Sequence, residues 1–71
     1  MTYTGIKQVL KSIKENKAKK VYIAEDAERR VTEEAINLCK TKGIEITYIK
    51  TMQELGKIAK IEVGTSTMST D

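Results

Sequence analysis

Lys7, Gln8 and Lys11 are the residues of this 71-residue chain whose types and spacing best suit recognition chemistry. At about 100° per helical residue they share one flank with Lys14, and Glu15 lies close beside them. Ile6, Val9, Leu10 and Ile13 fall at the i, i+3, i+4, i+7 spacing of a buried helix face. Such a helix opens at Thr4 or Gly5, both accepted N-cap types, so its unpaired N–H groups and positive dipole end lie beside that flank. Ammonium groups, a side-chain amide and free N–H donors at one helix start suit a polyanion with readable polar edges. RNA is the obvious candidate.

Other chemistries lack their residues. With no His and a single Cys, Cys39, there is no zinc site and no histidine-based catalysis. The sequence supplies no base to activate Cys39, which reads as a small buried hydrophobe. One cysteine also excludes an internal disulfide and fits a reducing cytoplasm. Tyr3, Tyr22 and Tyr48 are the only aromatic residues, too few for a base-stacking sheet of the RNP type. Glu25, Asp26 and Glu28 could suggest acid–base work. Without a partner base or ligand set they are better read as carboxylates complementing the start of the second helix, with Asp26 its N-cap. No cofactor is implied and no enzymatic activity is expected.

Bulk properties set the frame. A chain this short makes one domain, residues 1–71, near the lower limit for a self-sufficient core. Charged residues at 32% and hydrophobic ones at 39% fit a soluble globular domain rather than a disordered chain. No apolar run approaches the roughly 20 residues of a membrane span, and no signal-peptide-like apolar region follows Met1. The net charge of +3 does not by itself suggest nucleic acid, so the placement of the lysines matters more than their sum.

The elements that must position the helix flank can be read in order. The first helix runs from about Gly5 to Glu15 and ends at Asn16, a residue that tolerates the left-handed conformation. Lys17, Lys19 and Lys20 follow as a basic connector, read either as a solvated turn or as phosphate contacts. Val21–Ala24 reads as a strand buried on both faces. A second helix spans about Glu28 to Lys42, with Val31, Ala35, Leu38 and Cys39 inward and Ile36 at the margin. Gly43 stands where a helix-ending glycine belongs. Ile44–Ile49 alternates as a second strand, so strand, helix and strand make a right-handed parallel unit. Thr51-Met52-Gln53-Glu54 is a capping box for a third helix that buries Met52, Leu55, Ile58 and Ala59 and ends near Lys60. Gly56 inside it points to a close packing contact. Ile61-Glu62-Val63 before Gly64 reads equally as the start of a strand or as an exposed apolar loop, and the tail from Thr65 to Asp71 has almost no apolar face.

Four segments, Gly5-Ile6-Lys7-Gln8-Val9-Leu10-Lys11, Ile23-Ala24-Glu25-Asp26, Leu55-Gly56-Lys57 and Ile61-Glu62-Val63-Gly64, stand in the order and spacing of a known family. The chain resembles the kink-turn RNA-binding ribosomal protein family: archaeal and eukaryotic large-subunit proteins, box C/D proteins and short bacterial relatives of the YbxF type. The resemblance implies an α/β fold, a three-layer α-β-α sandwich around a small mixed sheet, without catalysis. It implies a structured RNA partner containing a kink-turn, a bent duplex whose bulge is flanked by tandem sheared G·A pairs, with ribosomal RNA among the candidates. By the same resemblance Lys7 and Gln8 read the guanine edges, Lys11 assists them, and Gly5 belongs to the same RNA-binding set. Glu28 takes the place of an acidic residue after the first central strand. Ile61, Glu62 and Val63 form an RNA-facing loop, which decides that segment as a loop. Lys17 and Lys20 are candidates for phosphate contacts, and a cytoplasmic monomer is expected.

Two departures stand out. Lys7-Gln8 replaces the family's usual Asn-Glu pair, as in its bacterial branch, and lysine or glutamine still suits the acceptors of guanine. The family's hydrophobic last strand is replaced by Thr65-Ser66-Thr67-Met68-Ser69-Thr70, so a weak or altered strand is expected over about residues 65–70. A different class of function, a small α/β protein–protein interaction module using Ile61 and Val63 as an apolar patch, is the alternative. Salt separates the two, since only RNA binding weakens steeply as counterions are released.

Overall fold

The computed structural model describes residues 2–71. Its elements follow the order β1 (Thr2–Thr4), α1 (Ile6–Lys14), β2 (Lys20–Ala24), α2 (Arg29–Lys42), β3 (Glu45–Ile49), α3 (Met52–Ile58) and β4 (Thr67–Thr70). The four strands form one mixed sheet in the order β1-β4-β2-β3. β2 and β3 pair in parallel across α2, whereas β4 runs antiparallel to both of its neighbours, β1 and β2.

Side-chain alternation along β2 divides the core between two faces. Val21 and Ile23 pack with Val9, Ile13, Ala18, Ala35 and Cys39 under α1 and α2. Tyr22 and Ala24 face the other way, toward Leu55 of α3 and Met68 of β4. The result is the expected three-layer sandwich. α1 buries Val9 and Ile13 through the spacing read from the sequence, with Ser12 added between them. Asn16 takes a positive φ of 61°, and Gly43 ends α2 with a φ of 70°. The Thr51 half of the capping box forms, its hydroxyl accepting from the Glu54 amide at 3.0 Å.

The structure corrects three readings. In α2 the buried stripe is Thr32, Ala35 and Cys39, while Val31 and Leu38 are half-buried. Thr32 fits there because its hydroxyl turns back to the Arg29 carbonyl at 3.3 Å. Asp26 does not cap α2; Glu28 holds the N-cap position without a side-chain bond, and Asp26 serves α3 instead. α3 buries Leu55 and Gly56, leaving Met52 and Ile58 exposed. Ile58 falls outside the arc centred between Leu55 and Gly56, and Met52 lies at the helix start with the Gly64 backbone against it.

The polar tail forms a strand at the centre of the sheet. β4 lies between β1 and β2, with its backbone paired on both sides. Thr67 and Ser69 are fully buried although polar, and Met68 is buried on the α3 side. Ser69 is accommodated because its hydroxyl meets that of Ser12 at 2.7 Å, and Ser12 in turn donates to the Val9 carbonyl at 2.7 Å. The apolar pattern is thus replaced by backbone pairing and a hydroxyl pair. β1, with no signal in the sequence beyond its β-compatible residues, forms because β4 offers it an edge.

Candidate nucleic-acid interface

One end of the sheet gathers the segments singled out above. β1, β2 and β3 all finish there, because β1 and β2 are each antiparallel to β4 and β3 is parallel to β2. Gly5 follows β1, the Glu25–Glu28 turn follows β2, and Thr51 follows β3. The chain entering β4 lies across them, with the Ala24 amide donating to the Ser66 carbonyl at 3.0 Å.

Gly5 has a φ of 82°, where an L side chain is strained, and α1 therefore starts without a side-chain cap. The Gly5 amide donates to the Thr65 hydroxyl at 3.2 Å and to the Thr67 carbonyl at 3.3 Å. The next amides head a helix with no acid in its first turn, so its partial positive charge is uncompensated. Lys7, Gln8 and Lys11 are exposed on this helix. Gln8 and Lys11 line a shallow groove between α1 and β1 with Tyr3, Ser12, Glu15 and Lys17.

The second part of the surface is the loop after α3, and it is a loop rather than a strand. α3 ends in a turn where Lys60 takes a φ of 62° and the Ile61 amide donates to the Gly56 carbonyl at 3.0 Å. The loop then lies flat on the helix. A Cβ on Gly56 would collide with the Val63 carbonyl oxygen, and one on Gly64 would come within 3.2 Å of the Met52 backbone. This explains the glycine inside a helix. With its backbone held down, the loop turns side chains outward: Val63 is 71% exposed, Glu62 is exposed, and Ile61 is half-buried. Ile61 and Val63 border a concavity with Asp26, Met52, Gln53 and Lys57. The Asp26 carboxylate forms part of its wall by accepting from the Met52 amide at 2.7 Å.

Other site candidates are more dispersed. Glu28 is exposed at the same end, on the turn before α2. Lys17 lies at the far end of the α1 groove, 3.1 Å from the Glu15 carboxylate, whose hydrogen bond and charge raise the lysine pKa. Lys20 opens β2 and so lies at the opposite end of the sheet from Gly5 and the loop. Lys14 pairs with Glu34 of α2 at 3.5 Å. Cys39 is fully buried, and burial pushes its thiol pKa up, the reverse of an activated nucleophile. Among the described residues no group of three or more His, Cys, Asp or Glu side chains could hold a metal ion, and no helix is long and apolar enough to cross a membrane. Three residues that organise the site were missed by the sequence: Thr65, Asp26 as a support of α3, and Met52 as an exposed wall. Each acts through a partner distant in the chain, for which local patterning has no signal.

A family model described as Ribosomal protein L7Ae/L30e/S12e/Gadd45 family matches residues 2–71. The chain belongs to this family. Within the L7Ae/L30e/S12e/Gadd45 family it is 48% identical over 63 residues to an RNA-binding protein of Caldanaerobacter subterraneus, covering 89% of this chain and 77% of that protein. It is 32% identical over 65 residues to the RNA-binding protein YbxF of Geobacillus stearothermophilus, covering 92% of this chain and 79% of the relative. Among solved structures, the Giardia lamblia 15.5kD RNA binding protein superposes with a TM-score of 0.89 at 27% identity. That match covers 97% of this chain and 58% of the other, so this L7Ae-family chain spans little more than half of the longer protein.

Proposed function

We propose that this protein is a non-catalytic RNA-binding protein that recognises and stabilises kink-turn RNA. The observation that carries the reading is the joining, at one end of the sheet, of an uncapped helix start bearing Lys7, Gln8 and Lys11 to a loop bearing an exposed Val63. Relatives in the same family named as RNA-binding proteins support it. Lys7 and Gln8 meet the O6 and N7 acceptors of guanine in the sheared G·A pairs, while Lys11 and the free first-turn amides face phosphate. Ile61 and Val63 cover bases turned out of the bulge, with Glu62 between them, and Glu28 faces the same RNA from the turn before α2. The protein does no bond chemistry; it favours the bent conformer through its higher affinity for it.

The test is a gel-shift titration on a kink-turn duplex and on the same duplex with its G·A pairs replaced by Watson–Crick pairs. The parent should prefer the kink-turn, and Gln8→Ala should weaken that complex by about 1–3 kcal/mol while leaving the plain duplex unaffected. Val63→Ser should also weaken the kink-turn complex without lowering the melting temperature, because Val63 is largely exposed in the free protein. Equal parental affinity for the two duplexes would overturn the reading.

A further inference from the structure

Thr65 links the two halves of this surface. It is 6% exposed and lies between the loop and β4. Its hydroxyl makes two bonds at once, accepting from the Gly5 amide at 3.2 Å and donating to the Thr67 carbonyl at 2.8 Å. Its own amide donates to the Met52 carbonyl at 3.1 Å. One residue therefore ties together the starts of α1, α3 and β4.

The tie matters because of what Gly5 lacks. It has no side chain to pack, a positive φ and no cap, so beyond the pairing of β1 with β4 the hydrogen bonds through its amide are what set the start of α1. One of the two goes to the Thr65 hydroxyl. The backbone of Thr65 at the same time follows directly from the loop that presents Ile61 and Val63.

We propose that Thr65 is a positioning residue for RNA recognition, its hydroxyl setting the start of α1 and the 61–64 loop in the mutual arrangement that lets Lys7 and Gln8 engage guanine edges while Val63 covers extruded bases. The inference rests on the kink-turn reading above. Thr65 touches no RNA itself; it raises the fraction of free protein already in the binding arrangement.

Thr65→Val keeps the shape and removes the hydroxyl, whereas Thr65→Ser keeps the hydroxyl. Kink-turn affinity is measured well below the melting temperature, where a folded variant is fully folded and lost global stability alone cannot lower binding. Thr65→Val should bind the kink-turn about tenfold more weakly, the scale of one hydrogen bond, with plain-duplex affinity unchanged, and Thr65→Ser should stay within about twofold of the parent. Equal losses in Thr65→Val and Thr65→Ser would overturn the proposal. So would parental binding by Thr65→Val alongside weakened binding by Gln8→Ala, a result that spares the kink-turn reading. A parent that does not prefer the kink-turn over the plain duplex would remove both. Should Thr65→Val fail to fold, amide hydrogen exchange decides. Slower exchange of the Gly5 amide in the parent than in Thr65→Ala, which keeps the Thr67 carbonyl, supports the tie, and exchange at an unprotected rate overturns it.

Discussion

Cys39 illustrates how burial decides the role of a reactive side chain. Its thiol is sealed under α2, so the folded state holds the proton more tightly than the unfolded chain does. With the folded pKa raised, this contribution to stability is complete below the ordinary thiol value of 9.0 and is lost as pH climbs through the raised value. Thermal melting followed across the alkaline range should therefore fall more steeply for the parent than for Cys39→Ala. Parallel alkaline limbs for the two proteins would show that the thiol carries no such linkage. The spacing of Cys39 marked it as buried, and the fold agrees. The neighbouring error in the stripe, Val31 in place of Thr32, arose because hydropathy ranks valine above threonine. A threonine whose hydroxyl bonds back to the preceding turn loses most of that disadvantage.

At the scale of elements, β4 departs furthest from its sequence pattern. A strand of threonine and serine is accepted in the interior because its backbone is paired on both sides and Ser69 meets Ser12 of α1. Since Ser12 already donates to the Val9 carbonyl, Ser69 is the donor between the two hydroxyls. Ser12→Ala should strand that donor in the core and cost about 1–3 kcal/mol in denaturant unfolding. Adding Ser69→Ala should recover part of the loss, because removing both partners leaves no orphaned hydroxyl. Strictly additive single and double losses would show that the pair is not coupled. α3 shows the opposite relation between pattern and fold. Its capping box and its glycine were both legible in the sequence, and each has a visible partner in the structure.

For the whole molecule the distribution of charge matters more than its sum. Lys7 and Lys11 lie on the open flank of α1, while Lys17 is matched by Glu15 and Lys20 lies at the other end of the sheet. Each lysine that neutralises a phosphate steepens the salt dependence of RNA binding by about one unit in the log–log slope. Lys11→Ala should therefore flatten that slope more than Lys17→Ala with Lys20→Ala, as measured by kink-turn titrations over a salt series. The reverse ranking would move the RNA path toward the basic connector.

The amino-acid sequence by itself determined the helices, the parallel unit around β2 and the amphipathic start of α1, since these follow from local periodicity, caps and turn residues. Through the resemblance of four short segments it also pointed to the family. Only the tertiary structure decided that Asp26 supports α3, that Thr65 ties Gly5 to the loop, and that a polar tail enters the middle of the sheet. Each of these depends on a hydrogen bond or strand pairing between residues far apart in the chain. The energy of such a partnership depends on where the backbone brings the groups, which no local pattern of side chains encodes.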